Sequence, residues 1–116
     1  MNGRNDGLGN MDIASEVFAA ICGYAAVNSF GVKGMAVRGV KDGLVRLLGI
    51  DAVDKGVKIV FTETGMEIEL HIIVALGVNI RAACRQIMNH VKYVVERLTG
   101  EAVSRIDICV DSALAE

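Results

Sequence analysis

The apolar positions of this chain change period from one segment to the next, and each period predicts a different element. The clearest stretch is Gly77 to Gly100, GVNIRAACRQIMNHVKYVVERLTG. There Ile80, Cys84, Ile87, Val91, Val94 and Leu98 recur at steps of three and four, as one face of a helix does. Ala83, Met88 and Val95 widen the stripe, so the helix should lie flat on a broad apolar surface. Asn79 is placed to cap the first turn, and Gly100 stands where the chain needs a left-handed residue. The far side carries Arg81, Arg85, Asn89, Lys92 and Glu96, a wet and mostly basic face. Upstream, Ile13, Val17, Ala20, Ile21 and Tyr24 share a helical face flanked by Phe18, Cys22 and Ala25. They predict a first helix over about residues 12–27, capped by Asp12 or Ser15.

Between these helices the pattern shortens. Val32, Ala36 and Val37, punctuated by Gly31, Gly34 and Gly39, read as a strand with tight turns at its ends. Val40, Leu44, Leu47 and Leu48 predict a short amphipathic helix ended by Gly49, followed by a polar connector over residues 50–55. A hairpin follows, in which Val57, Ile59 and Phe61, then Met66, Ile68, Leu70, Ile72, Val74 and Leu76, alternate with more polar neighbours. These residues should face the helices. A last strand begins at Val103, where Ile106, Ile108 and Val110 alternate with Arg105, Asp107, Cys109 and Asp111. The order α-β-α-β-β-α-β predicts an α+β, two-layer sandwich: a mixed sheet of about four strands with the two longer helices on one face. Residues 1–10, polar and with three glycines, read as a flexible leader before a single domain over residues 11–116.

Composition narrows the function. Hydrophobic residues make up 53% and charged residues 22%, which is globular and excludes a disordered regulator. The formal net charge of −2 gives no bulk attraction to nucleic acid or anionic lipid. Aromatic residues are only 4%, a poor supply of stacking platforms for single strands. Every apolar run is broken before the ~18 residues of a membrane span, so no direct insertion is expected and the cytoplasm is the expected compartment.

Chemistry is sparse. Cys22, Cys84 and Cys109 are odd in number, share no CxxC spacing, and read as free thiols used as small hydrophobes. His71 and His90 are the two histidines, and neither is spaced with a cysteine as metal ligands would be, so no metal or cofactor is expected. Cys84 and His90 lie on different sides of their helix; His71 would meet Cys109 only if their strands pair. Neither a Walker loop nor a GxGxxG fingerprint occurs, and no catalytic set is recognisable. The chain therefore reads as a non-enzymatic protein.

Two surfaces remain as candidates for partners. The outer sheet face mixes Lys58, Thr62, Glu67, Glu69 and Asp107 with Val60, Ile73, Ala75 and Cys109, and its apolar members make Val60, Ile73 and Cys109 the first candidate. The basic stripe Arg81, Arg85 and Lys92 is the second, suited to an acidic partner or phosphate, although a plain solvated helix face is the commoner cause of such a run. Gly31 to Gly34 is formally a GxxG, the loop with which KH domains clamp a nucleic-acid backbone, although here it leads from a helix into a strand.

An ordered series of short segments resembles the alkaline shock, or envelope stress response, proteins of Gram-positive bacteria. It runs from Gly9-Asn10-Met11-Asp12-Ile13-Ala14-Ser15-Glu16-Val17 through Phe30-Gly31-Val32-Lys33-Gly34-Met35 to Val40-Lys41-Asp42-Gly43. Leu47-Leu48-Gly49 and Lys55-Gly56-Val57-Lys58 follow, then Gly77-Val78-Asn79-Ile80, Leu98-Thr99-Gly100 and the strand Ile106 to Val110. That family tends to place an aromatic where Leu76 stands and a proline where Arg81 stands, so Asn79 must set the helix start here. The resemblance implies a small cytoplasmic protein without established enzymatic activity or cofactor. It also implies self-association, or docking to a membrane-anchored protein partner. A KH-like nucleic-acid module is the alternative reading.

Overall fold

A computed structural model describes residues 13–115; the leader 1–10 and the candidate cap Asp12 lie outside the described residues. Helix α1 spans Ile13–Val27 and is followed by β1 (Val32–Arg38), β2 (Val45–Leu47) and a 3₁₀ helix over Ile50–Gly56. Strands β3 (Val57–Thr62) and β4 (Gly65–Ala75), helix α2 (Ile80–Thr99) and strand β5 (Val103–Leu114) complete the chain. The fold is α+β, with two long helices on one face of a five-stranded mixed sheet.

Strand β4 is the centre of that sheet. β5 runs parallel along one edge, pairing from Met66↔Val103 to Ala75↔Leu114. β3 and β1 share the other edge end to end, both antiparallel: Val57↔Leu70 to Thr62↔Gly65, then Val32↔Val74 to Met35↔Ile72. β2 adds antiparallel to β1 on the outside. A parallel pair needs a crossover, and α2 supplies it. The even-numbered residues Met66, Ile68, Leu70, Ile72 and Val74 point towards the helices and are buried there with Met35, Cys22, Ala26, Ile87, Val91 and Val95. Burial of apolar surface of this kind is what holds the two layers together. The ring of Phe18 lies 5.7 Å from that of Phe61 at the margin.

Helix α2 starts and stops where the sequence indicates. The Asn79 side chain accepts from the Ala82 N–H at 3.0 Å, and Gly100 adopts a left-handed φ of 76°. Its buried line is Ala83, Ile87, Val91 and Val95, flanked by half-buried Cys84 and Val94. Ile80, Met88 and Leu98 of the expected stripe are exposed, because the helix is turned to seat the strict i, i+4 row on the sheet. The first helix is rotated as well: Ala19, Cys22, Ala25 and Ala26 are buried, while Val17 and Tyr24 are exposed. Small residues win this face because α1 lies hard against the 3₁₀ helix. A Cβ on Gly23 would come within 2.9 Å of Val53 Cβ, Cγ2 and the carbonyl oxygen.

The segment Val40–Leu48 is not a helix. Gly43 takes a left-handed φ of 68°, and Asp42 accepts from the Leu44 N–H at 3.0 Å, so the chain turns back into β2. Asp42-Gly43 is the turn signal, and it outweighs four apolar residues whose spacing fits a helix face. The polar connector over residues 50–55 is also more than a link, since Val53 is buried beneath α1. The sheet accordingly holds five strands where about four were expected.

Candidate functional site

The outer face of the sheet carries the odd-numbered residues of β4 and the side chains paired with them. Of the expected trio, Val60 is 49% exposed, Cys109 is half-buried, and Ile73 is only 2% exposed. Ile73 is on the outer face as expected but is not available to a partner in this chain. It pairs with Gly34 in β1, and Leu47 of β2 reaches over that glycine: a Cβ on Gly34 would stand 2.7 Å from Leu47 Cδ1. The trio thus shares a face without forming one accessible patch.

A polar cluster occupies the middle of this face. The register places Cys109 directly beside His71, and Glu69 lies two residues before His71 on the same side of β4. His71 Nε2 is 2.6 Å from Glu69 Oε2, and Nδ1 is 3.1 Å from Asp111 Oδ2. Asp111 reaches back because β5 is irregular between the pairs Ile72↔Val110 and Ile73↔Ser112, which leaves it without a register partner on β4. Burial raises the Cys109 thiol above its ordinary value, and the charges of Glu69, Asp111 and Asp107 raise it further. Cys84 is also raised by burial, and Cys22, deep under the helices, is pushed up to about 12. The meeting of His71 with Cys109 hangs on strand order, and the parallel register supplies it.

A second feature lies at the end of the sheet near the start of α2. An open groove of about 510 Å³ runs between Phe30–Lys33 and Ala75–Asn79. Phe30 is 78% and Leu76 68% exposed on its walls. Sequence reasoning missed both residues, because Phe30 falls in a turn and Leu76 ends the inward series of β4. The signal available was a large apolar residue beside glycine at each place, Phe30-Gly31 and Leu76-Gly77, where no element can bury it.

The basic stripe is exposed along α2 at Arg81, Arg85 and Lys92, as the periodicity indicates. The GxxG is not a KH loop. Gly31, at φ 86°, makes the turn out of α1, and Gly34 already lies within β1. The helix that would follow a clamping loop is absent from that place.

Residues 3–114 match the alkaline shock protein 23 family, described as having a cell envelope-related function. The chain belongs to that family. It is 35% identical over 103 residues to the "Uncharacterized protein YloU" of Bacillus subtilis (strain 168), covering 88% of this chain and 86% of the relative. It is 29% identical over 108 residues to the "Uncharacterized protein Spy1614" of Streptococcus pyogenes serotype M6, covering 92% and 88%. No solved structure matches. The family assignment agrees with the resemblance read from the ordered segments, and a cell envelope-related role follows at that level of description. Nothing in it favours nucleic acid. Among the described residues no helix is long and apolar enough to cross a membrane.

Proposed function

We propose that this family member is a non-catalytic, envelope stress-associated interaction protein that works on the cytoplasmic side by self-association. The observation that carries the reading is the pair of bare apolar side chains, Phe30 and Leu76, flanking a groove at one end of the sheet. Contiguous exposed apolar surface of this kind marks contact sites in soluble proteins. A projecting ring beside a groove is self-complementary, so one two-fold contact would let each copy's Phe30 enter the other's groove. Docking on a membrane-anchored protein is the other use of the same end, and the basic stripe on α2 starts beside it at Arg81.

A non-catalytic role is supported by the thiols. Reactive cysteines need a lowered pKa and positive surroundings, whereas Cys109 sits among carboxylates that raise it. The test is sedimentation velocity at rising concentration for the parent and for Leu76→Asp, Val60→Asp and Arg81→Glu. Leu76→Asp should stay smaller than the parent at every concentration, with the other two unchanged. Dissociation by Val60→Asp and not by Leu76→Asp would move the contact to the outer sheet face and refute the groove assignment.

A further inference from the structure

We propose that Glu69, His71 and Cys109 form a binding site for a divalent transition-metal ion of the zinc type, with Asp111 positioning the histidine. The inference is independent of the self-association reading and rests on the outer-face cluster alone. One ligand atom from each of Glu69, His71 and Cys109 can be chosen so that all lie within 4.8 Å of one another. Zinc binds sulfur at about 2.3 Å and nitrogen or oxygen at about 2.0–2.2 Å, so side-chain rotations that part His71 Nε2 from Glu69 Oε2 and keep Cys109 Sγ beside them would bring all three into its shell. The donors are a thiolate, an imidazole and a carboxylate, a set that suits zinc and excludes magnesium and calcium, which take oxygen.

The strands bring the three donors together. Glu69 and His71 are two apart on one face of β4, and Cys109 is the register partner of His71 on β5. The supporting shell is in place too. His71 Nδ1 is within hydrogen-bond distance of Asp111, whose side chain is only 9% exposed. In the metal-bound state the ring proton would sit on Nδ1, donated to Asp111, which leaves Nε2 its lone pair for the ion. Metal-binding histidines are usually held in this way by a carboxylate. At 2.6 Å, Nε2 and Glu69 Oε2 share a hydrogen bond, which a bound ion would replace as the two atoms part to admit it. As the metal–sulfur bond forms, the Cys109 thiol gives its proton to solvent. Three protein ligands leave one position for water.

Nothing in the sequence spacing announces this cluster. Residue 109 follows residue 71 by far more than any ligand motif, and only the parallel pairing of β4 with β5 brings them together.

The test is a titration of the reduced, tag-free full chain with Co²⁺, followed by displacement with Zn²⁺. A sulfur-to-cobalt charge-transfer absorption should grow to saturation at about one ion per chain. Zn²⁺ should abolish it and Mg²⁺ should not. Cys109→Ser should lose the band, and the Cys22→Ser, Cys84→Ser double variant should keep it. Asp111→Asn should weaken binding about 10–100-fold while leaving the same final spectrum. Circular dichroism controls for folding, and Glu69→Gln, on a side chain that is one-third exposed, gives a second variant expected to weaken binding. Absence of the band in the folded parent, or a band that survives Cys109→Ser, would overturn the site.

Discussion

A methyl group on Gly23 would sit 2.9 Å from Val53, closer than real side chains approach, and this one contact fixes how near α1 lies to the 3₁₀ helix. Gly23→Ala should therefore destabilise the fold by about 1–3 kcal/mol, the usual cost of overpacking, read by chemical or thermal unfolding. Ile73 offers the contrasting case. Its alternation with inward neighbours marks it as a surface residue, yet burial at 2% makes Ile73→Asp a charge placed in the interior. That variant should fail to fold by circular dichroism, and a folded, stable Ile73→Asp would contradict the packing of Leu47 over β1. The three thiols belong at this scale as well. All are raised above their ordinary value, so native alkylation should be slow at each and become fast only on unfolding. Rapid native labelling of any one would reopen a thiol chemistry.

Elements differ in how legible they are. The long helix and the hairpin are readable because each holds one period for many residues, and Asn79 and Gly100 give the helix its ends. Asn79→Ala should cost about 0.5–2 kcal/mol through loss of the bond to the Ala82 N–H. The β1–β2 hairpin escapes the periodicity because Val40, Leu44, Leu47 and Leu48 mimic a helix face, while the turn chemistry of Asp42-Gly43 decides the matter. That turn carries a pH signature. The Asp42 carboxyl is lowered chiefly by the Leu44 N–H and then by the Arg46 side chain, whose Nη2 is 2.8 Å away. A depressed carboxyl contributes its stabilisation above its unfolded value and loses it as pH falls through the folded one. The Leu44 amide should accordingly lose exchange protection at acid pH, and Asp42→Asn, which keeps the acceptor, should flatten that dependence. The rotation of α1 is illegible for a different reason: which face a helix buries depends on what it meets, and small residues face a close neighbour that sequence periodicity does not contain.

At the scale of the molecule, the layer order and the single helical face are readable, since alternating strands and two amphipathic helices have few ways to pack. Strand order is not readable, because it is set by long-range pairing, and the His71–Cys109 meeting follows only from it. The two residues that frame the groove, Phe30 and Leu76, lie at element ends, where periodicity is silent. The proposed function makes that end of the molecule the place where copies of the chain join. The most direct test is the solution mass by light scattering across a concentration series, on the full chain without added partners. A self-associating chain should show a mass that rises with concentration above 12.3 kDa, and a smaller rise for Leu76→Asp. A constant monomer mass at every concentration would contradict self-association.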